Sequence, residues 1–182
     1  MLQLIQETDF RILDWIQQNL RSDLLDWLMP KITFLCDAGW FWILLTLVFL
    51  ISKTYRRRGI TLFCGLAMCG LFGNLLLKNI VARDRPCWIR PLNDMLVSIP
   101  GDYSFPSGHS MVSFACAVIL FHYDRRIGIP ALFLAGAIAL SRLYVYVHFP
   151  TDVLLGTLIG ILIGIAAVRS ANRFFTVADR KK

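Results

Sequence analysis

Charged residues are scarce in this chain: Asp, Glu, Lys and Arg make up 17% of its 182 residues, while 57% are hydrophobic. Soluble domains carry about 25% charged and about 45–50% apolar residues, so the shortage argues against water as the main solvent and points to lipid. The mean hydropathy of +0.60 agrees. No Gly/Ser/Pro linker or low-complexity stretch divides the sequence and no internal repeat is evident, which suits one domain over residues 1–182. The five cysteines (Cys36, Cys64, Cys69, Cys87, Cys116) form no CxxC pair and leave an odd count. That argues against a disulfide framework or a zinc site, and most of them read as small hydrophobes in apolar runs. Cys87, just past Arg85-Pro86, is the one whose oxidation would touch the motifs described below. A secretory signal peptide is not expected either, because the first residues lack a basic leader and a continuous apolar core. Histidine is sparse, with three in the chain.

The net charge of +7 is clustered. Lys53, Arg56, Arg57 and Arg58 separate two apolar runs, Arg125 and Arg126 separate two more, and Arg169, Arg173, Arg180, Lys181 and Lys182 follow the last. Such clusters mark the cytoplasmic ends of membrane helices and meet anionic headgroups; nucleic-acid binding is not expected.

A bilayer core of about 30 Å needs about 20 apolar residues in a helix. Runs at 59–82, 108–123, 127–147 and 152–172 approach this. A fifth, 28–51, is interrupted by Pro30, Lys31, Asp37 and Gly39 and is expected to break near Gly39. Residues 3–27 repeat apolar side chains at helical spacing with charges between, as in an amphipathic helix lying in the interface. The expectation is an all-α membrane protein: a bundle of about five transmembrane helices with an N-terminal amphipathic interfacial helix (1–27) and a motif-bearing core (59–172).

Residues 1–27 carry five acids (Glu7, Asp9, Asp14, Asp23, Asp26) against Arg11 and Arg21, the 83–107 loop is neutral, and the 52–58 loop carries four cations. With five spans, the 52–58 and 123–126 loops and the C-terminus fall on the cytoplasmic side. The N-terminus, the 83–107 loop and the 147–152 turn fall on the other.

Three blocks reach that second side. Lys78 and Arg85, seven apart, are expected on one helical face, with the helix ending near Arg85 because Pro86 disfavours helix at the preceding residue. A lysine two turns inside a membrane helix is a functional hypothesis by default; the plainer reading is a snorkelling side chain. Pro106-Ser107-Gly108-His109-Ser110 opens an apolar helix, whose free N–H groups and positive dipole end bind phosphate oxygens. Gly108 permits close approach, Ser107 or Ser110 caps or donates, and His109 is placed to protonate a leaving oxygen; a plain cap with an interfacial histidine is the alternative. In the third block His148 and Asp152 are four apart, with Asp152 expected to accept directly from one imidazole nitrogen and leave the other free to attack. Arg142 supplies a fork matched to phosphate; a structural His–Asp cap and an interface anchor are the alternatives here. His122, on the cytoplasmic end, is expected to have no catalytic role.

Together the blocks KNIVARDRP (78–86), PSGH (106–109) and SRLYVYVHFPTD (141–152) resemble the signature of the type 2 phosphatidic acid phosphatase superfamily, KxxxxxxRP, PSGH and SRxxxxxHxxxD, without a substitution. The resemblance covers about residues 59–172 and implies a phosphatase that needs no metal or other cofactor. It implies that His148 is the nucleophile forming a phosphohistidine, that Asp152 orients it and that His109 is the acid. Lys78, Arg85, Ser107, Gly108 and Arg142 hold the phosphoryl oxygens by the same resemblance. The implied partner is a phosphorylated membrane lipid, reached at the non-cytoplasmic face of a cell membrane such as the bacterial inner membrane. The small bacterial undecaprenyl-diphosphate phosphatases are the most similar in layout; phosphatidylglycerophosphate and phosphatidic acid phosphatases share the motifs. A lipid phosphotransferase and a non-catalytic lipid transporter or binding protein are the rival readings.

Overall fold

A computed structural model describes residues 2–179 as helices and connecting turns; Arg180, Lys181 and Lys182 of the C-terminal basic cluster lie outside the described residues. The helices are α1 (Leu2–Asn19), α2 (Asp23–Phe34), α3 (Trp40–Ile51), α4 (Arg56–Met68), α5 (Lys78–Val81), α6 (Pro86–Ile89), α7 (Gly108–Tyr123), α8 (Arg125–Tyr144) and α9 (Pro150–Asp179). A π-helical stretch, Cys69–Leu77, joins α4 to α5, and a 3₁₀ turn, Asp37–Gly39, joins α2 to α3.

Arg56–Ile89, Arg125–Tyr144 and Pro150–Thr176 are long and apolar enough to cross a membrane. The pair Asp23–Phe34 and Asp37–Ile51, bent by 43°, adds a fourth if it is one span. The 16 residues of α7 reach about 24 Å at 1.5 Å per residue, short of a full hydrocarbon core. The expected figure of about five spans therefore depends on counting both the bent pair and α7. Outward faces are apolar, as on Leu44, Leu47 and Ile51 of α3, Phe133 and Leu140 of α8, and Leu154, Leu158 and Leu162 of α9. Contiguous exposed apolar surface of this kind suits lipid rather than water.

The segment expected as one amphipathic helix over 3–27 is two helices. The chain leaves α1 at Asn19, and Ser22 caps α2 by accepting from the Leu25 N–H. Part of the apolar stripe turns to the protein instead of an interface: Phe10 and Leu13 are buried against the turn before α9, with Phe10 edge-on to Phe149 at 5.0 Å. Trp15, Leu24 and Trp27 stay exposed. The expected break in 28–51 falls at Asp37–Gly39, where Ala38 (φ 51°) and Gly39 (φ 72°) both take left-handed backbone.

Helix α7 is central, touching α3, α4, α8, α9 and the π-helical stretch. Its approach to α9 is set by Gly156, Gly160 and Gly164, spaced one turn apart. A Cβ at these positions would lie 2.7 Å from Ser107 O, 2.2 Å from Met111 O and 2.8 Å from Ala115 O. The absence of side chains there lets the two backbones touch and brings the start of α7 beside the start of α9. At the opposite end Arg58 pairs with Asp124 at 3.7 Å, Thr61 meets Tyr123 at 2.8 Å and Arg57 lies over the Phe175 ring. The basic loops and the C-terminal part of α9 thus share one end of the bundle.

Gly160→Ala is expected to destabilise the detergent-solubilised protein by about 1–3 kcal/mol through overpacking, lowering the melting temperature. Gly136→Ala, where a Cβ meets no atom within 4 Å, serves as the control. Equal melting temperatures for the two variants would contradict the close-packed α7–α9 seam.

Candidate active site

The three blocks meet at the end of the bundle away from the basic loops. Lys78, Arg85, Gly108, His109, Arg142 and His148 line one cavity of about 510 Å³. Direct bonds tie the blocks together. Arg85 Nη1 donates to Val147 O at 2.7 Å, and Ser107 N–H donates to Asp152 O at 3.2 Å.

Lys78 and Arg85 do not share a helical face as expected. Helix α5 stops at Val81 because Ala82 turns left-handed (φ 45°), and Arg85 sits on extended backbone (ψ 151°) at the entry to α6. Extended backbone suits the residue before proline. Both cations reach the cavity by this route, and both bind Asp102. Lys78 Nζ pairs with Asp102 Oδ2, while Arg85 Nη2 donates to Oδ1 at 2.6 Å and Arg85 Nε to the Asp102 carbonyl at 2.7 Å. Partial burial opposes ionisation of Asp102. Its bonds and charge pairing with Lys78 and Arg85 outweigh this and hold its carboxyl at about 2. Asp102 thus supplies the carboxylate oxygens that Lys78 and Arg85 bind.

Arg142 is 4% exposed. Nη1 donates to Thr33 Oγ1 at 2.5 Å, and the buried Nε has no hydrogen-bond partner among the described residues. A buried unpaired donor is costly, and an anionic oxygen in the cavity would satisfy it. Ser107 caps α7: its hydroxyl accepts from Ser110 N–H at 3.4 Å and from Ser110 Oγ at 3.0 Å. It is fully buried and does not line the cavity. Gly108 and His109, the first residues of the helix, do line it, and their N–H groups lack intrahelical acceptors by position.

His148 is buried in the turn between α8 and α9, which left-handed Tyr146 (φ 62°) reverses. Arg85 Nη1 lies 3.2 Å from Nε2. Arginine has only donors, so Nε2 must carry the lone pair and Nδ1 the proton. Burial, reinforced by Arg85 and Arg142, pushes the imidazole well below its ordinary value and keeps it neutral. The direct His148–Asp152 hydrogen bond expected from their spacing is not formed. Nδ1 and Asp152 Oδ2 are 3.9 Å apart, and Ser104 bridges them, its hydroxyl 3.4 Å from Nδ1 and donating to Asp152 at 2.5 Å.

Asp152 is otherwise committed to Phe149 N–H (3.0 Å) and Arg83 Nη1 (2.6 Å). Arg83 continues to Thr151 (2.7 Å) and to buried Asp9 of α1 (2.8 Å). Neither Ser104 nor Arg83 is a fixed position of a motif in the sequence, and Asp9 stands there only as one of the N-terminal acids. His109 Nε2 meets Asp37 Oδ1 at 2.8 Å, a partner that the sequence motifs do not include. His122, at the far end of α7, lies edge-on to Tyr123 and does not line the cavity. Cys87 is 2% exposed, which argues against ready oxidation. Among the described residues no three His, Cys, Asp or Glu side chains gather as a metal ligand set.

The PAP2 superfamily profile matches residues 58–175. The chain belongs to the PAP2 superfamily. Its PAP2 relatives include an undecaprenyl-diphosphatase of Sulfolobus acidocaldarius, 34% identical over 139 residues, covering 75% of this chain and 67% of that protein. Another is the undecaprenyl-diphosphatase BcrC of Bacillus subtilis, 29% identical over 152 residues, covering 83% of this chain and 77% of the relative. Among solved PAP2 structures, a transmembrane phosphatidylglycerolphosphate phosphatase from Bacillus subtilis superposes with a TM-score of 0.77 at 25% identity. That match covers 93% of this chain and 87% of the other. The all-helical, membrane-embedded architecture and the phosphatase class are thus those of the PAP2 superfamily.

If Asp102 and phosphate compete for Lys78 and Arg85, Asp102→Asn will bind inorganic phosphate several-fold more tightly than the parent. A thermal-shift titration in detergent reads this as a lower half-saturating phosphate concentration. An unchanged or higher value would show that the two do not compete.

Proposed function

We propose that this membrane lipid phosphatase cleaves the terminal phosphate of a lipid phosphate or diphosphate through a phosphohistidine on His148, at the non-cytoplasmic face of the cell membrane. The observation that carries the reading is the state of His148: a neutral, buried imidazole whose Nε2 lone pair faces a cavity with three cations and a helix start. Phosphoryl transfer depends chiefly on positioning and on neutralising the equatorial oxygens. Lys78, Arg85, Arg142 and the first N–H groups of α7 supply that neutralisation. Arg85 passes from Nε2 to a phosphoryl oxygen as substrate enters, which frees the lone pair.

In the first step Nε2 bonds to phosphorus, the P–O bond to the leaving group breaks, and His109 gives that oxygen a proton. The positive charge that develops on His148 is met through Nδ1–H, Ser104 and Asp152. In the second step water attacks phosphorus, the N–P bond breaks, and His109 takes the water proton. The Ser104 bridge makes Asp152 an anchor acting at one remove from the ring.

Undecaprenyl diphosphate is the favoured substrate, supported by the names of the two relatives above and by the apolar wall of the cavity at Ile43, Leu66 and Val112, which suits the start of a tail. Phosphatidylglycerophosphate is the second reading, favoured by the extent of the structural match. The charge asymmetry between the two ends of the bundle supports the non-cytoplasmic placement.

A panel of undecaprenyl diphosphate, phosphatidylglycerophosphate and phosphatidic acid, assayed for free phosphate in detergent with EDTA, tests substrate and metal dependence together. Turnover is expected to persist in EDTA, with kcat/KM highest for undecaprenyl diphosphate. His148→Ala is expected to abolish turnover of all three. Parental rates in that variant would refute the nucleophile assignment, and phosphorylated lipid products in place of free phosphate would indicate a phosphotransferase.

A further inference from the structure

Asp37 interrupts an otherwise apolar stretch, Phe34 to Ile51, and an ionisable residue in such a place is expensive unless it has a function. The backbone around it is built to aim it. Helix α2 ends at Phe34, and the 3₁₀ turn carries Ala38 and Gly39 in left-handed conformations, of which only glycine adopts this without strain. The turn is fastened to one face of α7. Cys36 Sγ lies 3.7 Å from His109 O, and Ser113 Oγ, one turn on, lies 3.4 Å from Cys36 Sγ. The Trp42 indole donates to the same Ser113 at 3.1 Å. Held this way, Asp37 Oδ1 stands 2.8 Å from His109 Nε2 at the cavity wall, with Asp37 half exposed and His109 largely covered.

We propose that Asp37 is a positioning residue for proton transfer: its carboxylate holds the Nε2–H of His109 and so reserves Nδ1 as the atom that gives and takes the proton. A carboxylate only accepts, so Nε2 carries hydrogen in both protonation states of the ring. When Nδ1 is also protonated it donates to the leaving oxygen as the P–O bond breaks. Once that proton is gone, Nδ1 has the lone pair that accepts the proton of the attacking water as the N–P bond breaks. Asp37 touches neither substrate nor phosphorus and acts through the ring. It also sets a negative charge against an imidazole that otherwise shares its cavity with Lys78, Arg85 and Arg142.

This inference rests on the reading of His109 as the acid, and the test separates the two. Two substrates are compared in detergent: phosphatidic acid, whose alkoxide must be protonated to leave, and a nitrophenyl phosphate bearing an alkyl tail, whose phenolate leaves unaided. His109→Ala is expected to slow the alkyl ester by roughly 10²–10⁴-fold and the aryl ester far less. Asp37→Asn is expected to show the same selectivity on a smaller scale, roughly tenfold or more on kcat for the alkyl ester, with KM unchanged. Asp37→Glu recovers most of that rate, Asp37→Ser repeats the Asn pattern, and Asp37→Asn adds no further loss on the His109→Ala background. If Asp37→Asn and Asp37→Ser slow both esters equally, or neither, while His109→Ala still discriminates, the Asp37 proposal falls and the acid reading stands. If His109→Ala slows both esters alike, the acid reading fails and the Asp37 proposal with it.

Discussion

Three cations brought to one largely buried cavity repel one another, and the arrangement is stable only if negative charge is set among them. The charge on Lys78 and Arg85 is answered by Asp102 from the 83–107 loop, while the buried Nε of Arg142 has no hydrogen-bond partner among the described residues. In the proposed mechanism a phosphoryl group would supply what both arrangements lack, because it brings several anionic oxygens where Asp102 brings two. Charge pairs inside a low-dielectric site are worth more than on a surface. On the proposed reading, the affinity of the cavity for phosphate and the conformation of the loop would therefore be linked.

The fold keeps these groups together by close backbone packing rather than by a large polar core. The glycine row of α9 lets α7 approach within contact of the main chain, so Ser107 donates directly to the Asp152 carbonyl. On the other side, α1 closes over the His148 turn. Phe10 and Leu13 cover Phe149, and Asp9 ties Thr151 and Arg83 to the carboxylate that anchors Ser104. The N-terminal helix is in this way part of the support for the His148 turn as well as an amphipathic surface. The strained turn at Tyr146 persists because packing on both faces determines it.

Much of this was legible in the sequence. The apolar runs match the helices, the Ser107 cap appears as expected, and six of the eight expected site residues line one cavity. Ser107 and Asp152 stand behind it. The misses have physical causes. The helical face expected for Lys78 and Arg85 assumed a regular helix between them, and the left-handed Ala82 that ends it has no clear sequence signature. Spacing placed Asp152 near His148 but could not reveal Ser104 between them, since a serine in a long loop carries no periodic signal. Asp9 and Asp37 do carry a sequence signal. Asp9 falls four residues before Leu13 on the apolar stripe of α1, and Asp37 breaks an apolar run. An acid in either place calls for a partner.

The central claim is that His148 becomes covalently phosphorylated. The direct measurement is acid-labile, alkali-stable label on the protein after rapid quenching of turnover with a ³²P-labelled lipid phosphate, mapped by peptide sequencing. The account predicts label on the peptide containing His148 and none in His148→Ala. Turnover of the labelled lipid with no phosphoenzyme at any quench time, or label on another residue, would contradict it.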